Sequence, residues 1–257
     1  MLCYMQDALY DTTQKSKVKA FQPDFRIFIG DVNARTTEEF LRFRQLIYTW
    51  MDSDATRTPE TLTFPTRPCS AGVRVNARFP TCWDGVNLDS PDNMAHMVYP
   101  ESETFESGGP CPAMHLIRTA QILFEVVWDT SKFNNNAGWP EDDSQPFVWS
   151  FGDATGYANH ADYMFGWKDG ALQKILDTAC VVNCAGAKTQ STSVINQCKQ
   201  KDVVGEDIDG WLTTLPGGHE IQYSPKMLSA LDGLCEGKFW FLSNKFEGHY
   251  AGLLAFV

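Results

Sequence analysis

In the segment QILFEVVWD (121–129), Ile122, Phe124, Val126 and Trp128 alternate with Leu123, Glu125 and Val127. A period of two belongs to a β-strand, whose successive side chains point to opposite faces. A chain that buries its apolar residues this way must build sheets, because a helix would scatter the same residues around its circumference. The period recurs in FRIFIGD (25–31), in PFVWSFGD (146–153) through Phe147, Trp149 and Phe151, and in KFWFLSN (238–244).

Helical spacing is confined to two short segments. TTEEFLRFRQLIYTW offers threonines as caps, acidic residues for a first turn, and Phe40, Phe43, Ile47 and Trp50 on one face. DGALQKILDTA sets Leu172, Ile175, Leu176 and Ala179 three and four apart behind Asp169 as a cap. The expected fold is mainly β, a two-sheet sandwich or jelly-roll-like arrangement with long disulfide-pinned loops and a few short helices.

With 257 residues, 43% hydrophobic, and 17 phenylalanines, the chain can fill such a core as a single domain, 1–257. No internal repeat or clean boundary divides it, and 185–205 is polar enough for a surface excursion. A formal charge of -11 argues against a nucleic-acid partner, which needs clustered Lys and Arg. The longest basic cluster, KSKVK (15–19), holds three lysines and reads as a solvated loop. No run approaches the ~18 apolar residues of a membrane-spanning helix, so no membrane insertion is expected.

The eight cysteines, Cys3, Cys69, Cys82, Cys111, Cys180, Cys184, Cys198 and Cys235, show no C-x-x-C and no zinc-finger histidine spacing. The even count favours disulfides and an oxidising compartment over buried thiols or a metal cluster, with the pairing left open. The N-terminus lacks a secretory signal pattern and no N-x-S/T sequon occurs, so the chain reads as a mature or truncated piece, or as one that is not secreted.

Long stretches rich in Pro, Gly, Ser and Asn lie at 52–70, 84–112, 129–146 and 199–220; loops of that length are usually functional or pinned. CWDGVNLDSPDNMAHMVYP (82–100) supplies Asp84, Asn87, Asp89, Asp92 and His96. GGPCPAMHLIR (108–118) adds His115, and FGDATGYANHADYMFGW (151–167) adds Asp153, His160, Asp162 and Trp167. Glu125, alone on an apolar strand, is a general acid if both faces are buried and a structural residue if it sits on the open face of an edge strand or pairs with an arginine.

Glycoside cleavage needs a second carboxylate, for which several aspartates compete. Trp83, Trp149 and Trp167 suit either sugar stacking or core filling. His96, His115 and His160 with Asp89, Asp92 or Asp162 form a weak divalent-metal set without H-x-H or H-E-x-x-H spacing. No G-x-S-x-G, G-x-G-x-x-G or P-loop is present, and no cofactor is expected.

FPTCWDGVNLDSPDNMAHMVYP, CPAMHLIR, FEVVWDTSKF, QPFVWSFGDATGYANHADYMFGW and LQKILDTAC, with FRIFIGD and GWLTTLPG, resemble in order the signatures of a fungal and bacterial secreted domain family of unknown function. That family is often joined to a C-terminal WSC sugar-binding domain, and the resemblance covers most of 21–217. It implies an extracellular or cell-wall protein in a polysaccharide setting.

Three positions depart from the family pattern. Asn93 stands where members carry a histidine after SPD, and Met51 where they tend to have a cysteine. MLCYM resembles a mid-domain segment, so the family's N-terminal portion, with its H-x-H, is expected to be missing.

Three functional readings follow. In the first, polysaccharide is cleaved through Glu125, His115, His160, Asp162 and Asp89, with Asp84, Asn87, Asp92, His96, Trp149 and Trp167 binding substrate. In the second, a non-catalytic wall or glycan-binding protein uses the 82–100 loop as a hydrogen-bonded scaffold. The third is a metal-dependent oxidative enzyme, which Asn93 and the missing H-x-H weigh against.

Overall fold

A computed structural model of the chain describes residues 2–6, 18–43, 45–53, 55–101, 109–135, 139, 145–178, 190–197, 201, 203–205, 210–223, 239–242 and 254–256. In chain order its strands are β1 (Leu2–Gln6), β2 (Arg26–Gly30), β3 (Leu46–Met51), β4 (Arg57–Thr61), β5 (Gly72–Arg78), β6 (Cys82–Trp83), β7 (Met97–Val98), β8 (Ile117–Arg118), β9 (Gln121–Trp128), β10 (Phe147–Trp149), β11 (His160–Met164), β12 (Gly210–Leu212), β13 (Phe239–Leu242) and β14 (Leu254–Phe256). The helices α1 (Thr37–Phe40), α2 (Ala171–Leu176) and α3 (Thr192–Ile195) are short. The protein is mainly β, as its alternating pattern predicts.

The largest sheet has five strands in the order β1-β9-β5-β3-β4, all neighbours antiparallel. Register places Val75 opposite both Tyr48 and Val126, and Val73 opposite Trp50 and Trp128, so one face is continuously apolar. Against that face pack the β2–β11 ribbon, through Ile27, Ile29 and Ala161, and β10, through Phe147 and Trp149. The opposing layer is therefore assembled from pieces. The described residues also form a three-stranded sheet, β7-β6-β8, and a four-stranded sheet, β10-β14-β13-β12.

Helix α1 begins as expected: Thr36 accepts from Glu39 N while the Glu39 carboxylate accepts from Thr36 N, a reciprocal capping box. It does not run on to Trp50. After one 3₁₀ turn (Leu41–Phe43) the chain extends as β3, every residue of which is buried between β4 and β5. The β-branched and aromatic residues of LIYTW fit a pleated surface, and two ladders of backbone bonds outweigh the helical spacing. At α2 the cap is Gly170, in the left-handed region with φ 65°, and Asp169 makes no capping bond.

Strand β5 lies within GVRVNAR, a clean alternation that the sequence reading passes over. Strand β4 turns part of the 52–70 loop into a hairpin arm. Cys82 and Cys111 form a disulfide and Cys69 is a buried free thiol, its pKa pushed up to about 11 by burial. Cys180, Cys184, Cys198 and Cys235, and the C-terminal turn expected at Ala179, lie outside the described residues. Among the described residues no helix is long and apolar enough to cross a membrane.

Candidate functional site

The polar loop after β6 is held by its own side chains. Asp84 accepts from Val86 N, Asn87 N and the Asn87 amide at 2.7–2.9 Å, and Trp83 Nε1 donates to Asn87 O. Asp89 accepts from Ser90 N and the Asn93 amide. Asp92 accepts from Ser90 Oγ, Met94 N and Ala95 N. Each carboxylate closes a tight turn, the ordinary use of Asp where backbone donors have no strand partner. The loop then pairs with the free edge of β2, through Arg26 N to Leu88 O and Phe28 N to Asn93 O.

His96 is fully buried against Phe25. Its Nε2 donates to the Arg26 carbonyl at 2.8 Å, and Nδ1 lies 2.9 Å from Ser90 Oγ. The sequence of groups is carboxylate, hydroxyl, imidazole, whereas a nucleophilic triad needs the imidazole in the middle. His96 thus joins the loop to β2.

The turn hydrogen bonds set an acid limit on the loop. The Ala95 N–H, the Ser90 hydroxyl and the Met94 N–H hold Asp92 at a pKa of about 2, and the Asn93 amide leads the donors that lower Asp89. A depressed folded-state pKa contributes stability that is present above the unfolded value near 3.8 and lost as pH falls through about 2. Between pH 4 and 2 the wild type should therefore lose stability faster than Asp92→Ala, as followed by urea midpoints; parallel acid limbs would contradict these turns.

The expected catalytic residues make separate contacts. Glu125, half-buried, faces away from the apolar core and pairs with Arg74 Nη1 at 3.0 Å. Around them Thr49 Oγ1 accepts from Asn76 Nδ2 at 2.8 Å and donates to Glu60 Oε1, forming a polar ladder across the sheet's second face. His115 Nε2 donates to Ala95 O, tying the β8 approach to the 82–100 loop. His160 Nδ1 donates to Ala158 O, its ring packed beside Phe28 and Phe151. Asp162 is exposed on β11. Among the described residues no hydrogen bond or ion pair joins Glu125 to these three.

No group of three or more His, Cys, Asp or Glu among the described residues is arranged to hold a metal ion. Trp149 is a core residue, with its Nε1 donating to Tyr48 Oη at 3.0 Å. Trp167 is placed differently. It stands half-buried in a groove of about 560 Å³ between the 18–23 segment and the start of α2.

Phe21, Phe165 and Trp167 give that groove its apolar lining, and Lys19, Gln22, Asp169, Gln173 and Asp177 its polar groups. Gln173 fixes the geometry: Oε1 accepts from Ala20 N at 2.8 Å, and Nε2 donates to Val18 O and Asp177 Oδ1. Sequence reasoning found Trp167 and missed the rest. The signal was available, since Asp169, Gln173 and Asp177 recur every four residues, the spacing of one helix face.

Searches of curated proteins and of solved structures return no match to this chain. A family model described as "Domain of unknown function (DUF1996)" matches residues 1–167. The match takes in β1, the turn-rich loop and β9, and ends at the tryptophan of the groove. It covers well over half of the sequence, and the chain therefore belongs to the DUF1996 family.

Proposed function

We propose that this is a glycan-binding protein of the cell exterior or wall, with its ligand seated in the Trp167 groove. The groove's composition carries the reading. An aromatic surface receives the C–H face of a sugar ring, while carboxylate, amide and ammonium groups at its side bond the hydroxyls. The Cys82–Cys111 bridge supports an oxidising compartment. The turn-bound aspartates and the Arg74-paired Glu125 favour binding over cleavage, because glycoside cleavage uses two carboxyl groups flanking one bond.

Calorimetric titration with soluble β-glucan, chitin oligosaccharides and polyuronate tests this. Binding of at least one is expected, with Trp167→Ala weakening it at least ~10-fold, the loss of about 1.4 kcal/mol of stacking. Failure of every polymer to bind would overturn the reading. Release of reducing or unsaturated ends, abolished by Glu125→Gln, would replace it with the cleavage reading.

A further inference from the structure

The Trp167 groove has a charge pattern as well as an aromatic surface. Asp169, in the turn before α2, and Asp177, the residue that ends it, both line the groove, and both are exposed. Lys19 is the one basic residue among the described residues of that lining. Lys168 and Lys174 stand at neighbouring positions but outside it.

The polar groups of the groove are not equally available to a ligand. Gln173 spends both ends of its amide on the fold, accepting from Ala20 N and donating to Val18 O and Asp177 Oδ1. That bond leaves Asp177 with acceptor capacity to spare, since an ionised carboxylate has several lone-pair sites. Asp169 makes no capping bond and joins no ion pair among the described residues. What remains for a ligand is dominated by negative charge beside an aromatic surface. Both favour a cation: the carboxylates by charge, and the indole face by its quadrupole, which attracts ammonium groups. The whole chain adds to this, because a net charge of -11 draws cations and repels polyanions.

We infer that the groove selects a glycan of amino sugars bearing free ammonium groups, a glucosamine polymer, over neutral, N-acetylated and uronic-acid polymers. The ring lies on Trp167 and its ammonium beside Asp169 and Asp177. This selectivity rests on the glycan reading of the groove and adds to it the charge of the ligand. Acetylation of the nitrogen removes the charge that the two carboxylates recognise, and a uronic acid reverses it.

Three β-linked hexasaccharides that differ only in the second-carbon substituent test it by calorimetric titration: those of glucosamine, N-acetylglucosamine and glucose, in weakly acidic buffer of low salt. The glucosamine hexasaccharide should bind at least ~5-fold more tightly than the other two, the gain expected from two exposed ion pairs, and the advantage should shrink as salt is raised. Asp169→Asn combined with Asp177→Asn should remove the advantage. Asparagine is the suitable replacement at the first position, because it tolerates the left-handed backbone that Asp169 holds at φ 54°. Equal affinity for the three, or preference for the acetylated form, would overturn the inference and leave the glycan reading standing. So would an advantage that persists in the double variant, which would trace it to the general charge of the chain. If none of the three binds, and β-glucan and polyuronate do not bind either, the glycan reading falls with it. The wild-type titrations decide the preference even if the variant does not fold.

Discussion

Asp153→Ala is expected to lower the free energy of unfolding by about 3–5 kcal/mol, the range seen when one partner of a buried, hydrogen-bonded charge is removed. The carboxylate is completely buried. It accepts from Thr155 N, Thr155 Oγ1, Gly156 N and Ala158 N, all within 3.0 Å, and Arg35 Nε stands 3.7 Å away. Alanine would strand these donors in the interior. The consequences spread, because the same turn delivers the Gly156 carbonyl to the Tyr48 hydroxyl, which in turn accepts from Trp149. Asp153→Asn keeps one acceptor oxygen and should fall between wild type and alanine. Urea denaturation at constant slope measures both; a loss below about 1 kcal/mol for alanine would show that the turn does not depend on its carboxylate.

Removal of the Cys82–Cys111 bridge in the double alanine variant should cost about 2–4 kcal/mol. The two cysteines are 29 residues apart, so the bond removes substantial freedom from the unfolded chain, by the chain-entropy estimate about 3.6 kcal/mol. It also joins the start of the turn-rich loop to the segment leading into β8. Denaturant midpoints for the variant and for reduced wild type should shift together. A loss below about 1 kcal/mol would mean that the Asp84, Asp89 and Asp92 turns hold the loop without help from the bridge.

Much of this arrangement is legible from local pattern. β9 and β2 carry alternation strong enough to be read directly, and the Asp- and Asn-rich loop forms the turns that such residues favour. β3 shows where local reading fails. Phe40, Phe43, Ile47 and Trp50 keep helical spacing, yet the last two belong to a strand whose neighbours β4 and β5 are distant in sequence from β9, the next strand of that sheet. Helical spacing within one segment carries no information about those partners. β5 is a different case, since Val73, Val75 and Ala77 alternate with Arg74, Asn76 and Arg78 and needed only to be read.

The candidate site divides along the same line. Glu125 stands out in sequence as a charge on an apolar strand, and only the antiparallel register with β5 brings Arg74 to it. Trp167 stands out as an aromatic near the end of a loop, and only the docking of α2 on the 18–23 segment through Gln173 surrounds it with carboxylates and a lysine.

By itself the sequence determined that the protein is mainly β and that its charge is acidic, and it offered, as one of two readings, an 82–100 loop bonded to its own backbone. These follow from side-chain period, net charge and the short reach of Asp and Asn, all properties of neighbours along the chain. The tertiary structure decided which carboxylates are paired, and which tryptophan is core and which lines a groove. Those outcomes depend on contacts between segments far apart in sequence, which no local pattern specifies.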